Sequence, residues 1–321
     1  MEDILLQNSL GDAQADSVVQ DVIRVYEKTF PGQIAGYYVE GSYSDSTHLA
    51  TSDLDLVVVF CRPLAHKGER KNAEQLWTAR NTGALEVDVT IVDEQQLQEG
   101  VRPPLKFGSR LVYGQDVCRN YPLVPLETWT RERMHAAYWL LVTVYQRSTP
   151  LQLPLDFPDP TDEFYGYVNR LVRLPDGKCV QCTRNLVRTT GWAATALLAL
   201  QAGQYAGRKR DCAQFYRTYI GDEWASFLEE LSTFCRDEWH YLIPTGSEAR
   251  LYLCSLCERT LLFERHFLAL YKTYLLEQLH STDQPSLEHA CWVQKLLPLD
   301  DKEVVGLLKN SSVQLKASPP F

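Results

Sequence analysis

Basic charge, long apolar runs and a paired set of cysteines are what this chain is short of, and each shortage removes a class of protein. Against 41 Asp and Glu stand only 32 Lys and Arg, a net charge of −9. The deficit is uneven: residues 1–124 hold 11 Lys and Arg against 18 Asp and Glu, whereas residues 125–321 hold 21 against 23. Neutralising phosphates with basic side chains supplies most non-specific affinity for polynucleotides, so a nucleic-acid partner is not expected. The longest stretch of small and apolar residues, Gly191 to Leu200, falls well short of the ~20 residues that cross a bilayer. Met1-Glu2-Asp3-Ile4 is acidic where a secretory leader would be basic. No membrane association and a cytoplasmic location are the expectation. The nine cysteines are an odd number, which excludes a closed disulfide framework and fits a reducing compartment. Two CxxC pairs exist, Cys179/Cys182 and Cys254/Cys257, but roughly 70 residues separate them where zinc ribbons use about 15–20. Buried thiols acting as small hydrophobes are the expectation for these.

What is present is a globular composition, 45% hydrophobic and 23% charged over 321 residues, enough for two domains. Val18, Val19, Val22, Ile23 and Tyr26 are spaced along one face of a helix that Phe30-Pro31-Gly32 ends. Strands are predicted near 34–40, 54–60 and 85–92, a fourth from Gly108 to Tyr113, and helices over 68–80 and 93–99. These make a small mixed sheet with helices on one side. The prolines at 122 and 125 mark a boundary. Beyond it the periodicity predicts helices throughout, about 127–147, 161–172, 181–203, 208–219, 222–237, 247–280 and 286–297, and then a loose tail from Ser311 to Phe321. The fold class expected is α+β: a mixed-sheet domain over 1–124, then an all-helical domain over 125–321.

Chemistry concentrates where the first two strands meet. Strand 34–40 runs into Glu40-Gly41-Ser42, where a glycine lets backbone N–H groups approach an anion and a serine hydroxyl adds a donor. Eleven residues after Ser42, Asp53-Leu54-Asp55 opens an apolar strand. The period of two sends both carboxylates to one face, where they repel unless a divalent cation neutralises them. Hard oxygen ligands of this kind suit Mg²⁺ sharing its shell with phosphates. A third carboxylate comes from Leu85-Glu86-Val87-Asp88-Val89-Thr90-Ile91, whose Glu86, Asp88 and Thr90 share one face and whose apolar residues share the other.

Gly-Ser, Asp-x-Asp and a later strand carboxylate, in that order, resemble the nucleotidyltransferase superfamily of the polymerase-beta type. Thr183 to Leu200, the turn at Gln201-Ala202-Gly203 and the segment Gly207-Arg208-Lys209-Arg210-Asp211-Cys212-Ala213 look like the helical domain of aminoglycoside adenylyltransferases. The resemblance implies transfer of AMP from Mg·ATP to a hydroxyl of a small, aminoglycoside-like acceptor, with release of pyrophosphate and a role in antibiotic resistance. It implies Asp53, Asp55 and Asp88 as Mg²⁺ ligands, Asp88 as the base and Gly41 and Ser42 as the phosphate cradle. By position, Lys209 reaches the phosphates from the helical domain. Register along the third strand leaves Glu86 as an alternative base, and Arg184 and Arg188 stand further from Lys209 than the family's arginine does. A transferase acting on a protein or a tRNA end, of the toxin-antitoxin kind, is the alternative, with Arg259 and His266 on one helix face as its faint mark.

Overall fold

The computed structural model describes residues 4–64, 67–78, 85–174, 176–208 and 210–310. The predicted tail from Ser311 lies outside the described residues. The chain divides into two compact units: the first comprises the residues up to Pro125 together with 173–178 and 206–211, the second the remainder.

The first unit begins with helix α1 (Ala13–Thr29), started by Asp12, whose side chain accepts from Ala15 N at 2.8 Å. Strand β1 (Ile34–Glu40) leads into one helical turn, α2 (Gly41–Ser44), and a loop carries the chain to strand β2 (Leu54–Phe60). Helix α3 (Lys67–Thr78), strand β3 (Val87–Asp93), short helices α4 (Glu94–Glu99) and α5 (Pro103–Gly108), and strand β4 (Arg110–Gly114) complete it. The sheet order is β3-β2-β1-β4. β1 runs antiparallel to both β2 and β4, and β2 runs parallel to β3, so the sheet is mixed as expected.

Helices cover both faces of this sheet rather than one. Tyr37, Val39, Leu54, Leu56, Val58 and Phe60 pack with α1 and Ala73 of α3 on one side. Tyr38, Val57 and Val59 pack with Leu97, Val101 and Leu105 from α4, α5 and the turn between them on the other. Burial on both faces explains why Val57-Val58-Val59-Phe60 is continuously apolar instead of alternating. β3 lies at the sheet edge and does alternate, with Val87 and Ile91 buried and Asp88 and Thr90 exposed. A capping box ends it: Asp93 Oδ1 accepts from Gln96 N at 2.9 Å, and Gln96 Oε1 accepts from Asp93 N at 3.2 Å.

The second unit is mostly helical: α6 (Leu126–Val144), α7 (Arg184–Ala202), α8 (Asp211–Tyr219), α9 (Trp224–Leu231), the long α10 (Ser247–His280), α11 (Gln284–Leu296) and α12 (Lys302–Asn310). It is not all-helical. β5 (Leu151–Gln152) pairs in parallel with β8 (Leu299–Asp300), and β6 (Arg170–Arg173) joins β7 (Cys179–Cys182). The helix expected over 161–172 is replaced by a turn and β6. Its buried Phe164, Tyr167 and Val168 have helix-like spacing, but Asp162 Oδ2 accepts from the backbone N–H of Phe164 and of Gly166, both at 3.0 Å, and Tyr165 and Gly166 have φ of +57° and +80°. α10 buries Leu253, Leu256, Phe263, Phe267 and Leu275, and with them Glu264, whose Oε2 accepts from Arg147 at 2.6 Å and from the Tyr167 hydroxyl at 2.7 Å. Among the described residues no helix is long and apolar enough to cross a membrane. None of the nine cysteines is in a disulfide, and six of them, including Cys182 and Cys257 of the two CxxC pairs, are buried.

Candidate functional site

The site is built where β1 hands the chain to α2. Gly41 takes a positive φ of +69°, and a Cβ placed on it would lie 2.6 Å from Asp55 Oδ2. Backbone conformation and space therefore both demand glycine here, and the demand comes from a candidate ligand itself. Ser44 Oγ lies 2.7 Å from Gly41 O and 2.6 Å from Gly108 O, its one proton shared between the carbonyls, which ties the turn to the end of α5. After Ser44 the loop holds its own shape. Asp45 Oδ1 accepts from Thr47 Oγ1 at 2.6 Å and Thr47 N at 3.2 Å, while Thr47 N also donates to Ser42 O at 2.9 Å. Ser52 Oγ accepts from Leu49 N at 2.9 Å. His48 stacks on Tyr43 with ring centroids 4.2 Å apart, and its Nε2 stands 3.6 Å from Asp12 Oδ2. Burial, then the charges of Asp12 and Asp53, push the Tyr43 hydroxyl above its usual pKa.

Register brings the carboxylates together. Asp55 and Asp88 are direct partners across the parallel β2–β3 pair, and Leu54 N donates to Glu86 O at 2.9 Å just outside the ladder. One oxygen from each of Asp53, Asp55 and Asp88 lies within 4.8 Å of the other two. Among the described residues these are the acidic, histidine or cysteine side chains that converge three at a time on one point. At an effective dielectric constant of about 20, two unit charges that close repel by about 3–4 kcal/mol. Asp53 and Asp55 are half-buried and Asp88 is exposed, so the cluster is held from the protein side and open on the other. All three donors are hard oxygens on rigid strand ends, a set that fits a divalent cation of the Mg²⁺ type.

Residues 21–110, which span β1, the Gly41–Ser42 turn, β2 and β3, match the family model described as a nucleotidyltransferase domain. The chain carries a nucleotidyltransferase domain. Nucleotidyl transfer is the reaction class of such a domain. Among solved structures, spectinomycin adenyltransferase AAD(9) from Enterococcus faecialis, solved with ATP and spectinomycin, is a distant likeness: 14% identity, a TM-score of 0.42, and coverage of 76% of this chain and 98% of that one. No curated protein sequence matches the chain.

Of the residues singled out from sequence, the nucleotidyltransferase domain brings Gly41, Asp53, Asp55 and Asp88 to one place, with Ser42 in the same turn. Glu86 lies before β3 begins, exposed and outside the three-carboxylate cluster. Lys209 lies outside the described residues. Arg184 sits at the start of α7, its guanidinium carbon 5.6 Å from the centre of the Tyr241 ring, and Arg188 is exposed one turn further on. Arg259 pairs with Glu230 at 2.6 Å and stacks on Phe227, while His266 packs beside Trp224. Sequence reasoning missed Arg210, whose Nε stands 3.2 Å from Asp45 Oδ2 in the loop after the Gly-Ser turn. The one signal available for it was the basic run around Lys209 itself.

Proposed function

We propose that the chain transfers AMP from Mg·ATP to a hydroxyl of a small cationic molecule of the aminoglycoside kind, releasing pyrophosphate. The observation that carries the reading is the meeting of Asp53, Asp55 and Asp88 within 4.8 Å, directly beside the Gly41 turn. Asp53, Asp55 and Asp88 would hold the metal. Bound Mg²⁺ supplies positive charge that offsets both the carboxylates and the triphosphate. The backbone of Gly41 and the hydroxyl of Ser42 bind and orient the β- and γ-phosphates, leaving the α-phosphorus facing the carboxylates. Asp88, the exposed member, accepts the proton of the acceptor hydroxyl at a carboxylate oxygen. The hydroxyl oxygen then bonds to the α-phosphorus, the bond from that phosphorus to the bridging oxygen breaks, and the electron pair leaves with pyrophosphate.

Two features support a small cationic acceptor over a polynucleotide: residues 1–124 carry a net charge of −7, and the chain has no compensating basic excess elsewhere. In this reading Lys209 contributes positive charge to the departure of pyrophosphate. The protein acts in the cytoplasm. The test is incubation of the full chain with Mg·ATP and three acceptor pools, an aminoglycoside panel, a protein extract and total tRNA, followed by mass spectrometry for added AMP. AMP on an aminoglycoside alone is the expected result, whereas AMP on protein or tRNA alone would transfer the reading to the alternative substrate class.

A further inference from the structure

Residues 206–211 follow α7 in sequence yet are grouped with the nucleotidyltransferase unit. The reason is a close approach of two glycines. A Cβ on Gly108, at the end of α5, would lie 2.5 Å from Gly207 O, and a Cβ on Gly207 would lie 2.7 Å from the Phe107 Cβ and 3.2 Å from Pro103 O. Only hydrogen atoms fit between these backbones. The same end of α5 accepts the Ser44 hydroxyl through Gly108 O at 2.6 Å. Three residues beyond Gly207, Arg210 Nε reaches Asp45 Oδ2 at 3.2 Å. The segment thus meets the end of α5, to which Ser44 is bonded, through backbone, and the Gly-Ser loop itself through charge.

Asp45 is a costly residue for that place. It follows Ser42 by three positions, it is only 11% exposed, and its Oδ1 is already occupied by both groups of Thr47. Left alone it would set a fixed negative charge against the triphosphate that the loop is to receive. The guanidinium occupies the remaining oxygen, cancels the charge, and cannot lose its proton. Arg210 also stands 3.5 Å from Asp211, so two carboxylates share one cation.

We propose that Arg210 is a positioning residue of the phosphate-binding loop: it neutralises and orients Asp45, so that the turn from Gly41 to Ser44 accepts the ATP triphosphate. The proposal rests on the reading of this loop as the triphosphate binder. The Arg210 side chain is 38% exposed, so solvent screens the pair from its side and it adds little to stability; its effect belongs in nucleotide affinity.

Calorimetric titration of Mg·ATP into the full chain, with thermal unfolding run in parallel, tests it. Wild type binds, Arg210→Gln weakens binding about tenfold through the uncovered Asp45 charge, and Arg210→Lys stays within about threefold of wild type. Asp45→Asn, which keeps the Thr47 bonds, changes affinity by no more than about threefold, and adding it to Arg210→Gln restores most of the loss. A double variant as weak as Arg210→Gln alone would make Arg210 a direct phosphate ligand and overturn the positioning role. Unchanged binding by Arg210→Gln, or loss of its cooperative unfolding, would overturn it too. In each of those outcomes wild-type binding leaves the proposed function standing, whereas no Mg·ATP binding by wild type removes both.

Discussion

Replacing Gly41 by alanine should disable the site while barely disturbing the fold. The backbone there has φ +69°, a conformation that costs a residue with a Cβ about 1–2 kcal/mol. The added methyl also meets Asp55 Oδ2 at 2.6 Å, against the 3.4 Å of an ordinary contact, so the carboxylate must retreat by about 0.8 Å. A carboxylate is the free end of a flexible side chain, so that retreat costs little folding energy. It does move one of the three oxygens off their common point, and misplacement by about 1 Å at a reacting centre can cost about 100-fold in rate. Gly32→Ala is the matched control: φ is +68° with nothing within 4 Å of the added carbon. Both variants should lose about 1–2 kcal/mol in urea unfolding. In Mg²⁺-dependent AMP transfer, Gly32→Ala should match wild type and Gly41→Ala should fall about 100-fold or more. Equal transfer by the two alanine variants would refute the argument that Gly41 is required for the sake of Asp55.

The base is separable from its neighbour: Asp88→Asn should abolish transfer and retain Mg·ATP binding, while Glu86→Gln, outside the cluster, should lose no more than about tenfold. A dead Glu86→Gln beside an active Asp88→Asn would shift the base by two residues. Lys209→Ala should weaken the use of ATP by about 1–3 kcal/mol, read as kcat/KM at sub-saturating ATP; unchanged kinetics would remove Lys209 from the nucleotide site. Stability should fall as pH drops from about 6.5 towards 4, because burial and then the charge of Arg131 lower His289 to about 4. The unfolded chain binds that proton first, so the contribution is complete above the unfolded value and is lost on descending through the folded one. The shift corresponds to about 3 kcal/mol, and His135, stacked on His289 at 4.6 Å and lowered by its own burial, adds in the same direction. Melting temperatures of wild type and His289→Phe across that window check this, and equal slopes would contradict it.

The strands that carry the carboxylates were legible because the sheet buries them on a simple rule. Three β-branched residues in a row, Val57 to Val59, followed by Phe60 mark β2, and the alternation in β3 separates its carboxylate face from Val87 and Ile91. The long run of apolar residues at helical spacing likewise marks α10 from Ser247 to His280. Errors came where local chemistry overrides periodicity. Asp162 captures two backbone N–H groups and stops a helix that Phe164 and Tyr167 would otherwise suggest. α5 is six residues opened by two prolines, too short to show a period. That α4, expected as a helix over 93–99, covers the second sheet face was not legible, because a strand buried on both faces reads the same whatever covers it. Within the site, residue types and spacing pointed to Gly41, Asp53, Asp55 and Asp88, but no pattern of spacing could place Arg210 against Asp45, since 164 residues of chain lie between them.

The account turns on the three carboxylates acting as one centre for transfer of AMP. The most direct test is mass spectrometry of an aminoglycoside panel after incubation with ATP and Mg²⁺, using wild type and Asp53→Asn side by side, with circular dichroism to verify the fold of the variant. The account predicts an AMP adduct with wild type, none when Mg²⁺ is chelated, and a loss of several orders of magnitude in Asp53→Asn with the fold intact. Transfer by folded Asp53→Asn at the wild-type rate would contradict it.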